Sequence, residues 1–306
     1  MRIAAGHLRS DLDLTKQELV YLLELGGKVK TRPQDYRTAL QGKIASLLFE
    51  KPSLRTRLTF EVAMKTLGGD AIVSVGPIGT REPVKDVARN LDRWTQVIVA
   101  RTFDQRTVED LAHYGAVPVI NALSDRYHPC QALADMQTLV ERWGDVRGKQ
   151  LTFVGDGNNV AHSLMLNAAR LGVNVAVTCP PGYEPETEIV ETARGFAAVT
   201  GSRVLITNNL REGLKDADAV YTDVWASMGQ ESEFLERARL FATYQVNAEL
   251  MAMAHAGALF MHCLPAHRDE EVTDPVIEAP ISVVFDQAEN RLHAQKALLL
   301  MLLATI

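Results

Sequence analysis

The stretch IASLLFEKPSLRTRLTFEVAMKTL, residues 44–67, decides how this chain of 306 residues is expected to fold. Its apolar run Ile44–Phe49 is typical of a buried strand, and residues 58–67 have the spacing of a helix that ends at Gly68-Gly69. A polar turn joins the two. A strand followed at once by a helix is the repeating unit of a parallel sheet with helices on both faces.

The same alternation runs through the rest of the chain. Further strands are predicted at residues 71–75, 97–99, 117–120, 151–154, 173–178, 203–206, 219–222, 259–262 and 283–285. Helices are predicted between them, and the first, from residue 15, is expected to stop at Gly26-Gly27. We therefore expect two doubly wound α/β domains, residues 1–135 and 136–289. A helix near residues 131–143 joins them, and a C-terminal helix, residues 290–306, packs back on the first.

The composition limits the class of protein. The chain is 47% hydrophobic and 23% charged, which is typical of a globular protein and excludes intrinsic disorder. Its net charge of -6 disfavours a nucleic-acid-binding surface, because such surfaces need an excess of cations. Three cysteines, a charged N-terminus and the lack of a long apolar run predict a cytoplasmic protein without disulfides or membrane contact.

The first candidate site is the turn that opens the helix after residue 49. Ser53 and Thr56 supply hydroxyls, and Arg55 and Arg57 supply guanidiniums. The N-terminus of a helix presents unpaired N–H groups, and guanidiniums match phosphate oxygens, so the turn is suited to a phosphate. A capped helix with solvated arginines is the alternative.

Two further segments end at the same predicted edge of the first sheet. Arg101 follows the run at residues 97–100, and His128-Pro129-Cys130-Gln131 follows the next strand. Ligands of open α/β sheets bind at this edge, and a neutral His and a Gln can both donate to a carbonyl oxygen. Each residue alone has a structural alternative, and their coincidence favours a binding site.

The second half has a glycine-containing turn, Gly155-Asp156-Gly157-Asn158-Asn159, between a strand and a helix. A dinucleotide site is disfavoured because Val160 replaces the third glycine and no acid follows the next strand. We expect instead that Asn159 lies at the sheet edge, where its amide can bind a carboxylate.

Three other segments carry candidate residues. Asp223 ends a strand and can pair with an ammonium, and Ser227-Met228-Gly229 after it is a small loop able to close over a ligand. His262-Cys263-Leu264-Pro265 follows another strand, and zinc is disfavoured there because one short cluster lacks a second set of ligands. Arg291 follows the last predicted strand, and it either reaches the ligand site formed by these segments or is solvated.

Together these motifs resemble the ornithine carbamoyltransferases. Ser53-Leu54-Arg55-Thr56-Arg57, His128-Pro129-Cys130-Gln131, Asp223 with Ser227-Met228-Gly229, and His262-Cys263-Leu264-Pro265 occur in the family's order over almost the whole chain. The resemblance implies transfer of a carbamoyl group from carbamoyl phosphate to the δ-amine of ornithine, in arginine biosynthesis. It also implies that no metal or organic cofactor is needed, and that the protein is a homotrimer or a multiple of trimers.

The resemblance also implies residue roles. The carbamoyl-phosphate-binding residues would be Ser53, Leu54, Arg55, Thr56, Arg101, His128, Gln131, Leu264 and Arg291. The ornithine-binding residues would be Asn159, Asp223, Ser227, Met228 and Cys263. Arg55, Arg101, His128 and Cys263 would act in catalysis, and fixed donors would stabilise the oxyanion of the tetrahedral intermediate.

Two positions depart from the family pattern. Leu54 stands where the family usually has Thr, which matters little if this position contributes its backbone. Pro77, in Gly76-Pro77-Ile78-Gly79, stands where the family often has a Gln that reaches a neighbouring subunit's carbamoyl phosphate. The second departure puts that contact between subunits in doubt.

The sequence leaves other functions open. Related carbamoyltransferases act on aspartate, acetylornithine, succinylornithine or putrescine. Asp223 favours a free α-amino acid, because an acylated amine would leave its carboxylate unpaired. A nicotinamide dehydrogenase and a non-catalytic binding module on the same fold are the alternatives from other classes.

Overall fold

The computed structural model of the chain describes residues 1–226 and 234–304. The chain folds into two compact units. The first comprises Met1–Gln137 with Glu289–Ile306, and the second comprises Thr138–Ala288.

The first unit is built on a four-stranded parallel sheet in the order β2-β1-β3-β4. Its strands are β1 (Ile44–Phe49), β2 (Asp70–Val75), β3 (Val97–Arg101) and β4 (Val119–Leu123). The helices along this part of the chain are α1 (Lys16–Thr31), α2 (Leu54–Thr66), α3 (Val84–Trp94), α4 (Gln105–Tyr114) and α5 (Pro129–Trp143). Short 3-10 helices lie at Asp11–Asp13 and Pro33–Tyr36.

The second unit is built on a five-stranded parallel sheet in the order β7-β6-β5-β8-β9. Its strands are β5 (Gln150–Val154), β6 (Asn174–Thr178), β7 (Val204–Thr207), β8 (Ala219–Thr222) and β9 (Leu259–His262). The helices along this part of the chain are α6 (Asn159–Leu171), α7 (Thr187–Thr200), α8 (Leu210–Leu214), α9 (Phe234–Phe241), α10 (Ala248–Met251), α11 (Asp274–Ile277) and α12 (Val284–Leu303), and most of α12 belongs to the first unit. A 3-10 helix lies at Ala242–Tyr244. The division between the units falls inside α5 and inside α12.

The strands form because their residues are apolar on both faces. β3 and β8 are buried along almost their whole length, as parallel strands covered by helices must be. Two edge strands are less covered: β2 is largely exposed, and β7 is only partly buried. The predicted fold class, two parallel-sheet α/β domains with the C-terminal helix on the first, is confirmed.

Three local predictions were wrong. The first helix continues through Gly26-Gly27 to Thr31, and a Cβ at Gly26 would lie 2.4 Å from Oε1 of Gln137, so the glycine serves close packing. Residues 283–285 are not a strand, because α12 begins at Val284. α2 begins at Leu54, one turn earlier than the apolar pattern predicts, because Ser53 caps it.

The helices bear on one further expectation from the sequence. Among the described residues, none of them combines the length and the apolar character that crossing a bilayer requires.

Candidate active site

The turn between β1 and α2 is a capped helix N-terminus. Oγ of Ser53 accepts a hydrogen bond of 3.3 Å from the backbone N–H of Thr56. The side chain of Leu54 is 72% exposed, so this residue offers the turn its backbone rather than its side chain. Arg55 follows in the first helical turn, where the helix dipole attracts an anion.

A buried chain of polar side chains runs from this turn to the C-terminal helix. Arg291 of α12 donates from Nη2 to Oγ1 of Thr56 at 2.9 Å and from Nη1 to Oε1 of Gln131 at 2.6 Å. Nε2 of Gln131 donates to Oδ1 of Asp135 at 2.8 Å. All four side chains are at most 3% exposed, and these bonds fix the orientation of Thr56 and Gln131.

His128 lies in the field of three cations of the same unit. Burial lowers the pKa of its imidazole well below the ordinary value, and the guanidiniums of Arg291, Arg101 and Arg55 lower it further. His128 is therefore neutral, and it can donate one hydrogen bond to a carbonyl oxygen. Arg101 ends β3 beside the end of β1, where its carbonyl accepts a hydrogen bond of 2.9 Å from the N–H of Glu50.

The second unit holds its polar residues at the ends of β5, β8 and β9. Asn158 caps α6: its Oδ1 accepts from the N–H of Val160 at 3.0 Å and of Ala161 at 3.2 Å. Its Nδ2 donates to Oδ2 of Asp223 at 2.9 Å. Asn159 is the first residue of α6 and so lies at the predicted edge of the sheet.

Asp223 and Cys263 form a pair at this edge. The thiol of Cys263 donates to Oδ1 of Asp223 at 2.9 Å, and the N–H of Val224 donates to the same oxygen at 2.8 Å. The Asp223 carboxylate is largely buried, and Cys263 is half-buried. A carboxylate and a thiol that face each other in this way suit a ligand that carries amines.

His262 lies beside this pair and completes a group of three metal-ligating side chains, Asp223, His262 and Cys263, with ligand atoms within 4.8 Å of one another. Both ring nitrogens of His262 are engaged, because Nδ1 accepts from the N–H of Leu264 and Nε2 bonds Glu271. A metal ion would have to displace these bonds.

Two family models match the chain. The carbamoyl-P binding domain of aspartate/ornithine carbamoyltransferase matches residues 6–141, and the Asp/Orn binding domain matches residues 147–302. The chain belongs to the aspartate/ornithine carbamoyltransferase family. The first model covers the first group of polar residues except Arg291, which lies with the second group among the residues that the second model matches.

Similarity to individual proteins supports the family assignment. The chain is 50% identical over 296 residues to the ornithine carbamoyltransferase of Anoxybacillus flavithermus, covering 95% of this chain and 94% of that protein. It is 48% identical over 299 residues to the anabolic ornithine carbamoyltransferase of Pyrococcus furiosus, covering 96% and 95%. The solved structure of ornithine carbamoyltransferase from Pyrococcus furiosus superposes with a TM-score of 0.96 at 47% identity, over 100% of this chain and 99% of that one.

The candidate residues of this carbamoyltransferase chain fall into two groups. In the first unit, the geometry brings together Ser53, Arg55, Thr56, Arg101, His128, Gln131 and Arg291. In the second unit, Asp223 lies in contact with Cys263, and Leu264 and Asn159 are close in sequence to members of the same network. Ser227 and Met228 lie outside the described residues.

Several residues that support these two groups were not predicted from the sequence. Glu50 accepts from the N–H groups of Ile78 at 2.9 Å and Phe103 at 2.8 Å, and so ties together the segments after β1, β2 and β3. Asp135 holds Gln131, and Asn158 holds Asp223. Glu50 directly follows a buried strand, and this position could have identified it as a candidate from the sequence.

Arg237 of α9 was also missed. Its Nη1 donates to Oδ2 of Asp156 at 2.6 Å and to the carbonyl of Trp225 at 3.0 Å. Both side chains of this ion pair are largely buried, so it fixes the turn after β5 against the segment after β8. Nothing in the local sequence pairs these two residues, since they are far apart along the chain.

Cys130 has no nucleophilic character. Its thiol is fully buried and donates to the carbonyl of Asn121 at 3.4 Å. Burial raises the pKa of Cys130 to about 12, so the thiolate is not populated near neutral pH.

Proposed function

We propose that the protein is an ornithine carbamoyltransferase, which transfers the carbamoyl group of carbamoyl phosphate to the δ-amine of L-ornithine and releases L-citrulline and phosphate. The single observation that carries this proposal is the neutral His128 among Arg55, Arg101 and Arg291 beside a capped helix N-terminus. Such a set suits a small molecule with a phosphate at one end and a carbonyl at the other. The relatives named above carry the name of this same activity, which supports the proposal.

Carbamoyl phosphate is the ligand of the first unit in this proposal. Ser53, Arg55 and Thr56, with the backbone at Leu54, bind the phosphate, and Arg101, His128 and Gln131 bind the carbamoyl oxygen and amide. Arg291 completes the positive charge, and its bonds to Thr56 and Gln131 support this role because they hold both side chains in one orientation. We expect the reaction to need no metal and no organic cofactor, as the resemblance to the family implies.

Ornithine is the ligand of the second unit. Asp223 binds the α-ammonium, Asn159 with Ser227 and Met228 binds the α-carboxylate, and Cys263 with Leu264 faces the δ-amine and the carbamoyl nitrogen. The pairing of Asp223 with Asn158 and Cys263 supports this assignment, because it holds the carboxylate in place and leaves a lone pair of Oδ2 for an ammonium.

The chemistry follows from these groups. The δ-amine attacks as the neutral amine, and negative charge develops on the carbonyl oxygen of carbamoyl phosphate. Arg101, His128 and Thr56 donate to that oxygen as an oxyanion hole does. The C–O bond to phosphate then breaks, and the phosphate takes the proton that the amine loses. A separate protein base is not needed, and much of the rate comes from holding both substrates together.

Another amine acceptor is the alternative within this family. Acetylornithine would place a neutral amide against the Asp223 carboxylate, and putrescine has no carboxylate for Asn159. The buried carboxylate of Asp223 therefore favours ornithine, because a neutral group opposite it would leave the charge unpaired.

The location, the metabolic role and the oligomeric state of the enzyme are also part of this proposal. We propose a cytoplasmic enzyme of arginine biosynthesis, and the name of the anabolic Pyrococcus furiosus relative supports the biosynthetic role. We further propose a homotrimer or a multiple of trimers. Exposed apolar side chains on α2, at Leu54, Leu58 and Val62, and on the edge strand β2, at Ile72 and Val75, support an interface with a second copy.

An acceptor comparison tests the proposed function. The purified protein is supplied with carbamoyl phosphate and, in parallel, ornithine, acetylornithine, putrescine or aspartate, and the ureido product is measured. We expect citrulline from ornithine at a kcat/KM well above that of the other three acceptors. A preference for acetylornithine or putrescine would establish the alternative, and no product from any acceptor would reject the enzyme assignment.

A further inference from the structure

The segment after β9 contains a fully buried pair of ionisable side chains to which the proposed reaction assigns no role. His262 and Glu271 are both completely buried, and Nε2 of His262 lies 3.1 Å from Oε1 of Glu271. The same Glu271 oxygen accepts a hydrogen bond of 2.6 Å from the N–H of His267. A carboxylate and an imidazole removed from water in this way are costly, so they are expected to serve a purpose beyond packing.

The hydrogen bonds determine which nitrogen of His262 carries the proton. The backbone N–H of Leu264 donates to Nδ1 at 2.8 Å, so Nδ1 has a free lone pair and no proton. The proton is therefore on Nε2, which donates it to Glu271. Glu271 thus selects the tautomer in which His262 can accept a hydrogen bond from Leu264.

The hydrogen bond to Nδ1 of His262 comes from a residue with an uncommon backbone conformation. Leu264 has φ of 55°, in the left-handed region that a residue with a Cβ rarely adopts. Such conformations persist only where the surrounding structure imposes them, and the bond from the Leu264 N–H to His262 is one contact that does so here, beside the packing of Leu264 against the core of this unit. A second tie fixes the base of the segment, since the N–H of His262 donates to Oε1 of Gln287 at 3.0 Å.

We propose that His262 and Glu271 are positioning residues that hold the peptide of Leu264, and with it the thiol of Cys263, in the orientation required for carbamoyl transfer. This inference rests on the proposed function, which places Cys263 and Leu264 at the δ-amine and the carbamoyl nitrogen. Neither His262 nor Glu271 touches a substrate. Their effect passes through the backbone of residues 263 and 264.

Two substitutions of His262 separate its two bonds. In His262→Asn the amide oxygen lies at the level of Nδ1, so the bond from Leu264 is retained and the bond to Glu271 is lost. In His262→Gln the amide nitrogen reaches the level of Nε2, so the bond to Glu271 is retained and the bond from Leu264 is lost. The proposal predicts that kcat for citrulline formation stays near the parent's in His262→Asn and falls about 100-fold in His262→Gln.

Further measurements distinguish positioning from a general loss of structure. In His262→Gln we expect the KM for ornithine to change much less than kcat, and calorimetry to give the parent's affinity for carbamoyl phosphate. The order of thermal stability should be the reverse of the order of kcat, because His262→Asn leaves the buried Glu271 carboxylate without its imidazole donor. Equal kcat values in the two variants would overturn the proposal.

A second pair of variants decides the case if the His262 variants do not fold. Glu271→Gln keeps an oxygen that accepts from Nε2, and Glu271→Ala removes it. We expect kcat near the parent's for Glu271→Gln and about 100-fold lower for Glu271→Ala. A parental kcat in Glu271→Ala would overturn the proposal while leaving the proposed function intact, whereas a parent protein that forms no citrulline would reject both.

Discussion

His128 shows how single residues of the first unit take their chemical state from their neighbours. It is buried, and Arg291, Arg101 and Arg55 oppose a fourth positive charge. The same burial that keeps the imidazole neutral also strengthens any hydrogen bond that it donates. A sequence shows that these residues exist, but the protonation state follows only from their arrangement.

The lowered pKa of His128 predicts a pH dependence of stability. In the unfolded chain the imidazole takes up a proton as pH falls through its ordinary value of 6.5, whereas in the folded protein it stays neutral to lower pH. The unfolded state then binds more protons, so stability is fully present above pH 6.5 and is lost below it, by up to about 1.4 kcal/mol per pH unit. Chemical denaturation of the parent and of His128→Asn between pH 7.5 and pH 5 measures this contribution, and the variant should lose less stability over that range.

The arginines of this group predict a binding result. Removing Arg55 or Arg101 deletes charge-assisted hydrogen bonds to carbamoyl phosphate in the proposed site, so Arg55→Ala and Arg101→Ala should each weaken its binding at least about 100-fold by calorimetry. Arg57→Ala is the matched control, because Arg57 is exposed and pairs with Glu61 at 2.7 Å. Parental affinity in both variants would show that neither residue binds carbamoyl phosphate.

At the scale of elements, the apolar runs predicted the strands well because parallel strands are covered on both faces. The errors lie where tertiary packing overrides local preference. α1 continues through Gly26, where Gln137 leaves little room for a side chain, and Val284 begins a helix although its neighbours are typical of a strand. The start of α2 depended on the Ser53 cap, which the apolar spacing does not report.

The turn between β5 and α6 predicts an effect on stability. A Cβ at Gly157 would lie 2.3 Å from the backbone nitrogen of Pro185, so Gly157→Ala must displace backbone and is expected to cost about 1–3 kcal/mol. Gly195→Ala is the matched control, because Gly195 lies on α7 with no atom within 4 Å of the new Cβ and should gain about 0.5–1 kcal/mol. Urea denaturation measures both. A neutral Gly157→Ala would mean that this glycine is not required by packing.

At the scale of the whole molecule, the acidic net charge and the anion site are compatible because the cations are concentrated. The chain has a net charge of -6, yet three arginines of the first unit act on His128. The contacts that complete this group could not be predicted from sequence. Arg291 is 235 positions from Thr56 and 160 from Gln131, and no local pattern relates residues so far apart.

The exposed apolar face of α2 predicts an effect on assembly. Leu58 lies on the face shared with Leu54 and Val62, so Leu58→Glu should place a charge in the proposed interface and shift the protein from trimers toward monomers in sedimentation velocity. Val199→Glu is the control, since Val199 is exposed on α7 of the other unit. Trimers that persist unchanged in Leu58→Glu would place the interface elsewhere.

The most direct test of the proposed reaction follows the new bond. Carbamoyl phosphate labelled with carbon-13 is mixed with ornithine labelled with nitrogen-15 at the δ position, and the product is observed by NMR. The proposed function predicts a directly coupled carbon-13 and nitrogen-15 pair in citrulline, with one phosphate released per bond formed. A product without that coupling, or phosphate released without a coupled product, would contradict carbamoyl transfer to the δ-amine.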